Sequence, residues 1–436
     1  MTRVLRTLSP LLLLAVGCSV SPPGEAAERE RATLAGPAFA AAWSERELPP
    51  LGPEARLADW LAHAERANGD LEAAWQRWWA ALEQVPQAGT QDTTAMLGLE
   101  HRLDGGSALD RTGLMLMSDA MANLLLPGRL EARAAAALAR ARVAAAEFDR
   151  ARLTLQRDVT AAWWALALRD EELRLLRGLR GVRSMQAAAA RAAVVGGGRP
   201  QQAQLAAEVA LLRLDASVAA LERGRPALVA ALRALAGVPA DVATPQPAFG
   251  AFAVLHADER QWLEQALVRA PALEVARAAH AAALAEVTAR EWLRVPEFSL
   301  RSLLMGDGAA TVAGAASLPF LRGDAIEAAV REAEASVRAA AALRRQAGSD
   351  AVAAVLAETA TLDALAGERD LLRDRVLPLL EQAATVARAE WSAGAGEVDA
   401  WAEAEALRVA IVTEIARLDA AGHVARARLA FAAGVP

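Results

Sequence analysis

The chain repeats itself. Gly237-Val238-Pro239 recurs as Gly434-Val435-Pro436, Ala207-Glu208 as Ala404-Glu405, and Gly197 as Gly394, all at one offset of 197 residues. Earlier in each copy the spacing is looser but the order holds. Ala67-Asn68-Gly69-Asp70-Leu71 parallels Arg269-Ala270-Pro271-Ala272-Leu273, and Leu126-Pro127 parallels Leu318-Pro319. A period this long is that of a duplicated domain and too long for a solenoid repeat.

Each copy opens with a helical stretch, 57–85 and then 259–293, interrupted early at Asn68-Gly69 and at Pro271. A region of about thirty residues follows in which the periodicity becomes that of strands. Residues 96–102 and 113–117 fit two strands separated by Asp104-Gly105-Gly106-Ser107. Residues 297–303 and 309–316 fit two more, separated by Gly306-Asp307-Gly308. Then come stretches of apolar residues at three- and four-residue spacing, 129–193 and 325–391, with Pro378 their one proline. As helices they would each run about 100 Å. Both end at glycine clusters, Gly196-Gly197-Gly198 and Gly394-Ala395-Gly396, and a returning helix follows each, 201–236 and 397–433.

Physics narrows what such a chain can do. A pair of helices that long has no compact core and must pack on copies of itself or on a partner. Four short strands cannot close a barrel, whereas the twelve strands of three chains can. The expected fold is mainly α with a small β part. Long antiparallel helical hairpins form a coiled-coil or α-barrel body, and four strands per chain join a shared 12-stranded trimeric β-barrel.

Three segments carry a family resemblance: 376–383 (Val-Leu-Pro-Leu-Leu-Glu-Gln-Ala), Trp391-Ser392-Ala393-Gly394, and Ala404-Glu405-Ala406-Leu407. On these the chain resembles the TolC-like outer membrane factors (outer membrane efflux proteins), and nearly all of it after residue 55 is covered. Trp391 stands where the family usually has Tyr, and Val194 takes that place in the first copy. The first helix, from Leu71-Glu72-Ala73-Ala74 through Trp78-Trp79 to Pro86-Gln87-Ala88, is similar to a heavy-metal-efflux branch. The resemblance implies a homotrimeric passive duct through the periplasm and outer membrane, with no cofactor and no enzymatic activity of its own. A periplasmic adaptor protein and an inner-membrane pump would be its partners. The adaptor would contact the hairpin tips at Val195, Gly196 and Gly197 and at Ala393, Gly394 and Ala395. The family also places acidic residues facing the lumen just past the second tip. Its commoner position is Ala400 here, so the acidic gate falls to Glu403 with Asp399 beside it. A ring of inward carboxylates would attract cations. A solvated helix face is the alternative, the better reading for Asp399 and an equal one for Glu403.

Ahead of the repeats, Arg3 and Arg6 precede a short apolar core, Leu11 to Val16, and then Gly17-Cys18. This pattern reads as an export signal over 1–17 with lipidation of Cys18, the chain's one cysteine. The expected organisation is therefore signal 1–17, lipidated extension 18–55, repeat 56–239 (strands about 94–118, tip 194–200), linker 240–258 and repeat 259–436 (strands about 297–316, tip 392–397). After residue 18 no run of about twenty apolar residues lacks charge, so any membrane passage must be a closed barrel.

Other chemistry is hard to place. The chain has no lysine, its net charge is −6, and its arginines are scattered without interleaved aromatics, unlike a nucleic-acid surface. Five histidines stand apart from one another and from Cys18, so no metal-ligand spacing arises. Gly196-Gly197-Gly198 follows a helix where a phosphate loop would follow a strand. The rival reading is an exported periplasmic coiled-coil lipoprotein that acts as a scaffold and forms no channel.

Overall fold

The structure is a computed structural model. It describes residues 19–52, 54–90, 96–101, 112–118, 127–240, 242, 245–253, 259–305 and 310–435. The export signal, Cys18 and the loops between paired strands lie outside these residues. The chain divides into two compact units. Each draws segments from both sequence repeats, so the duplicated halves are not themselves compact bodies.

The first unit comprises residues 1–40, 73–149 and 272–348 and contains the sheet. Its strands are β1 Met96–His101, β2 Thr112–Ser118, β3 Phe298–Met305 and β4 Ala310–Ala316. They pair antiparallel in the order β1-β2-β3-β4. The register runs Met96↔Met117 to His101↔Thr112, Gly113↔Met305 to Ser118↔Leu300, and Phe298↔Ala316 to Leu304↔Ala310. The expected strands are thus present, shifted by one or two residues at their ends. β1 and β4 are edges, each with one row of backbone groups unpaired by the sheet. Below β3 and β4, Ser317 N–H donates to the Glu297 carbonyl at 2.7 Å, and Glu297 N–H donates to Ser317 Oγ at 2.7 Å. Arg129 pairs with Glu297, and Arg294 donates to both oxygens of Glu327 at 2.9 and 3.0 Å. Gly128 admits the Trp292 ring, because a Cβ there would sit 2.5 Å from it.

The helix α1, Glu25–Ala35, lies in the same unit and was not legible beforehand. It packs on the tryptophan-rich helix that ends at Gly89. Trp75 Nε1 donates to the Ala32 carbonyl at 2.9 Å, and Arg29 donates to the Leu82 carbonyl at 3.0 Å. The Arg31 guanidinium covers the Trp78 ring at 5.2 Å, and Trp78 is fully buried against Phe148. Just before α1, Ser19 bridges to Thr90 and Val20 N–H donates to the Gly89 carbonyl at 2.9 Å. The first described residues are thereby fixed beside the segment that leads into β1.

Helical order otherwise follows the sequence reading. α2 is Leu57–Ala67 and α3 is Gly69–Gly89. At their junction Asn68 Oδ1 accepts from Leu71 N–H at 2.8 Å, which caps α3, and its Nδ2 donates to the Leu235 carbonyl at 2.8 Å. α4 is Pro127–Val195, α5 Gln201–Ala236, α6 Glu259–Arg269 and α7 Pro271–Glu291. The break between α6 and α7 falls before Pro271, which takes the first helical position where its missing N–H costs nothing.

The stretch expected as one helix over 325–391 is resolved as α8 Gly323–Leu371, a π turn Leu372–Val376, and α9 Leu377–Ser392. Pro378 sits in the first turn of α9. It cannot donate to the turn before it, and the wider turn accommodates the ring without ending the rod. α10 is Val398–Ala433.

The second unit comprises residues 41–72, 150–271 and 349–436. The linker residues 245–253 cross it as a strap. Arg225 donates to the Pro245 carbonyl at 3.1 Å while holding Asp170 with two bonds of 2.5 and 2.7 Å. Phe252 N–H donates to Asp419, and the Phe252 carbonyl accepts from Arg369. The Arg369 and Asp419 side chains are both nearly fully buried. Gly422 leaves room for the Phe252 ring, which would lie 2.7 Å from a Cβ. Trp164 stacks on His423 with centroids 3.5 Å apart.

The duplication shows in the backbone as well. Gly237 and Gly434 end α5 and α10 with φ of 66° and 70°. Their Cβ positions lie 2.5 Å from the Ala67 carbonyl oxygen and 1.9 Å from that of Arg269. Glycine is required at both for its conformation and for the close backbone contact.

Candidate functional site at the hairpin tips

Both hairpins turn in the same way. Gly197 N–H donates to the Val194 carbonyl at 3.1 Å and Gly198 N–H to that of Ala193 at 2.9 Å. In the second hairpin Gly394 N–H donates to Trp391 at 3.0 Å and Ala395 N–H to Glu390 at 2.9 Å. Gly197 and Gly394 both have φ of 72°, the left-handed residue of a Schellman cap. Neither has any atom within 4 Å of its Cβ position. The turn alone therefore requires glycine there, and the surface over it is open. Val195, Gly196, Gly197, Ala393, Gly394 and Ala395 are all exposed, Val195 to 84%.

Identical turns carry different walls. Trp391 and Trp401 occupy positions equivalent to Val194 and Gln204, and they stack at 4.9 Å with an interplanar angle of 20°. This rearranges the charges beside them. In the first hairpin Glu208 accepts from Arg191 at 2.7 Å and from Gln204 at 3.0 Å, and both bonds hold its carboxyl below the usual range. In the second, Arg388, the equivalent of Arg191, lies over the Trp401 ring at 5.8 Å. Glu405 instead accepts from Arg408 at 2.9 and 2.6 Å. Gly178, Gly181, Arg388, Trp401, Glu405 and Arg408 help line a cleft of about 650 Å³.

The proposed gate carboxylates do not stand free. Glu403 accepts from Arg183 at 2.7 Å, and Arg183 also donates to Gln186 Oε1 at 2.8 Å. Asp399 accepts from Gln186 Nε2 at 2.9 Å and from Arg199, whose other Nη holds Glu397. Burial pushes the Asp399 carboxyl up, but the bonds from Gln186 and Arg199 and the charges of Arg199 and Arg183 outweigh it. The net result is a carboxyl below its ordinary value of 3.8. One network, Arg183–Gln186–Asp399–Arg199–Glu397 with Glu403, thus ties the first tip to the second. Sequence reasoning found the carboxylates and missed the arginines. Arg183 and Glu403 lie 220 residues apart, and no local pattern joins them.

Among the described residues no cluster of His, Cys, Asp and Glu is arranged to hold a metal ion, and no helix is long and apolar enough to cross a membrane. No family model and no curated protein sequence matches the chain. Solved structures do. CusC, from work on folding and transmembrane channel formation, superposes with a TM-score of 0.71 at 18% identity over 91% of this chain and 95% of its own. The open state of the Neisseria gonorrhoeae MtrE outer membrane channel gives 0.71 at 20% identity over 87% and 89%. The Campylobacter jejuni CmeC outer membrane channel gives 0.70 at 14% identity over 92% and 91%. The chain therefore has the fold of outer membrane efflux channels, the TolC-like outer membrane factors.

Proposed function

We propose that the protein is the outer membrane duct of a tripartite efflux or export system, working as a passive homotrimer. The observation that carries this reading is the open sheet. A four-stranded antiparallel sheet whose β1 and β4 edges are unpaired has no stable resting place in lipid until those edges close. Four strands from each of three copies close into a barrel of ordinary size. At the exit of β4, Leu318, Phe320 and Leu321 are all exposed, a placement that suits contact with the edge of a bilayer. Lipidation of Cys18, the residue before Ser19, would add a lipid anchor to the chain.

The open faces over Gly197 and Gly394 suit contact with the hairpins of a periplasmic adaptor that links the duct to an inner-membrane pump. Asp399 and Glu403 form the gate in this reading, with their charge largely taken up by Arg199 and Arg183. The lumen near the tips is accordingly less acidic than the carboxylates alone would make it. Selectivity and energy come from the partners.

The test is to reconstitute the mature protein in planar bilayers and, in parallel, to delete its gene and measure export of a panel of drugs, metal ions and proteins. Discrete conductance together with loss of export of one class supports the duct. A protein that stays soluble without detergent and forms no conductance favours the scaffold.

A further inference from the structure

The two hairpins share a turn but not the space beside it. Beside the second tip, the cleft of about 650 Å³ is lined from α4, α9 and α10, all within the second unit. Gly178 and Gly181 lie inside α4, a helix rich in alanine. Neither has a positive φ, and a Cβ at either would meet no atom within 4 Å. Neither a turn nor packing therefore asks for glycine, which weakens a helix interior relative to alanine. What both glycines do is keep the cleft wide at its end away from the tip.

The charges on the cleft also differ from those of the first hairpin. There, Arg191 donates to Glu208 at 2.7 Å, and Leu211 packs on Ala187, Ala190 and Ala207. In the second hairpin Arg408 takes the place of Leu211, and Trp401 that of Gln204. Arg408 occupies both oxygens of Glu405, the counterpart of Glu208, at 2.9 and 2.6 Å. Arg388, the counterpart of Arg191, is left with no ion-pair partner among the described residues, and its guanidinium lies over the Trp401 ring at 5.8 Å. Trp401 is held in turn by its stack on Trp391. Glu381 also lines the cleft, two turns or about 10 Å along α9 from Arg388, and its charge acts on Arg408.

A guanidinium backed by an indole and free of carboxylates is a ready partner for a planar anion, because its fork matches two carboxylate oxygens. Met185 and Val182 continue the cleft from there as an apolar wall on α4. A space of this size suits a small organic molecule. We propose that the cleft binds an elongated organic anion. Its carboxylate sits on Arg388, and its flat apolar body runs past Met185 and Val182 to Gly181 and Gly178. The first hairpin has no such site, because Glu208 takes its arginine. The site is formed within one copy, so its failure leaves the duct reading untouched.

The test is calorimetric titration of the full-length protein in detergent with biphenylcarboxylate, against biphenylmethanol and biphenylmethylammonium as neutral and cationic analogues. Only the carboxylate is expected to bind saturably. Arg388→Gln is expected to weaken it at least about tenfold. Arg408→Leu is expected to weaken it too, because Glu405 is then free to take Arg388 as Glu208 takes Arg191. Gly181→Leu, whose side chain enters open space on a strengthened helix, is expected to abolish binding while thermal melting stays with the parent. Photolabelling of the unsubstituted protein with benzoylbenzoate, mapped by mass spectrometry, reads the same site without any substitution and is expected to mark Met185 or Val182. Absence of binding, equal binding of all three analogues, or binding unchanged in folded Arg388→Gln and Gly181→Leu overturns the site. Labels confined to other segments overturn it as well.

Discussion

Replacing Arg199 with alanine removes the tie between the two tips at the residue that holds both Asp399 and Glu397. The guanidinium is about four-fifths buried, Asp399 is about one-third exposed, and Glu397 is 70% exposed. A hydrogen bond to a charged group contributes about 1.5–3 kcal/mol, while an exposed pair contributes about 0–1 kcal/mol. Asp399 keeps its Gln186 bond in the variant, and Glu397 returns to water. The expected loss is therefore about 1.5–2 kcal/mol per copy, taking the lower end because Asp399 is partly exposed. Three copies opening together would lose about 5 kcal/mol from the closed arrangement, roughly several thousandfold in the closed–open balance. Single-channel recording in planar bilayers reads this directly: Arg199→Ala should raise the open fraction steeply while the trimer and its melting temperature stay close to those of the parent. Arg199→Lys, which keeps the charge but not the forked geometry, should fall between. An open fraction within twofold of the parent, with trimers intact, would refute the idea that this network holds the tips.

Four further outcomes follow. Gly394→Ala should cost only the left-handed backbone penalty, about 1–2 kcal/mol, whereas Gly434→Ala, whose Cβ would fall 1.9 Å from the Arg269 carbonyl oxygen, should cost more than twice that in thermal unfolding. Gly394→Val should abolish export while trimers still assemble, and unchanged export would remove the tip from the adaptor contact. Asp399 has a depressed carboxyl, so its contribution is complete above its ordinary value of 3.8 and is lost as pH falls below it; channel open fraction should rise in that range, and less so in Asp399→Asn. His423 is held below its ordinary 6.5 by burial, the Gly250 carbonyl opposing and Arg426 assisting. Its neutral form is favoured, so the stability it contributes is present above pH 6.5 and declines as pH falls below that, and His423→Phe should flatten the pH dependence of melting.

Much of the fold was legible because its signals are local. Helix ends fell where Asn68, Pro271, Gly237 and Gly434 put them, since capping and the missing N–H of proline act within a turn. Strand positions were readable to within two residues from flanking glycines. The helix α1 was not legible, because Glu25–Ala35 has no apolar stripe and docks through Ala32 and arginines that find carbonyls and indole rings far along the chain. The π turn was equally hidden, since Pro378 alone is compatible with a kink, a stop or a wider turn. At the site, the tip glycines and both carboxylates were visible, while their arginine partners were not. Asp399 and Arg199 lie 200 residues apart, and only folding brings them together.

The central claim is that the free edges of β1 and β4 are completed by neighbouring copies. Electron cryomicroscopy of the mature protein in lipid nanodiscs tests it most directly. The expected map has threefold symmetry, with β1 of each copy hydrogen-bonded to β4 of the next around a closed ring in the bilayer. A single copy whose β1 and β4 edges remain unpaired, or an assembly whose sheets lie outside the lipid, would contradict it.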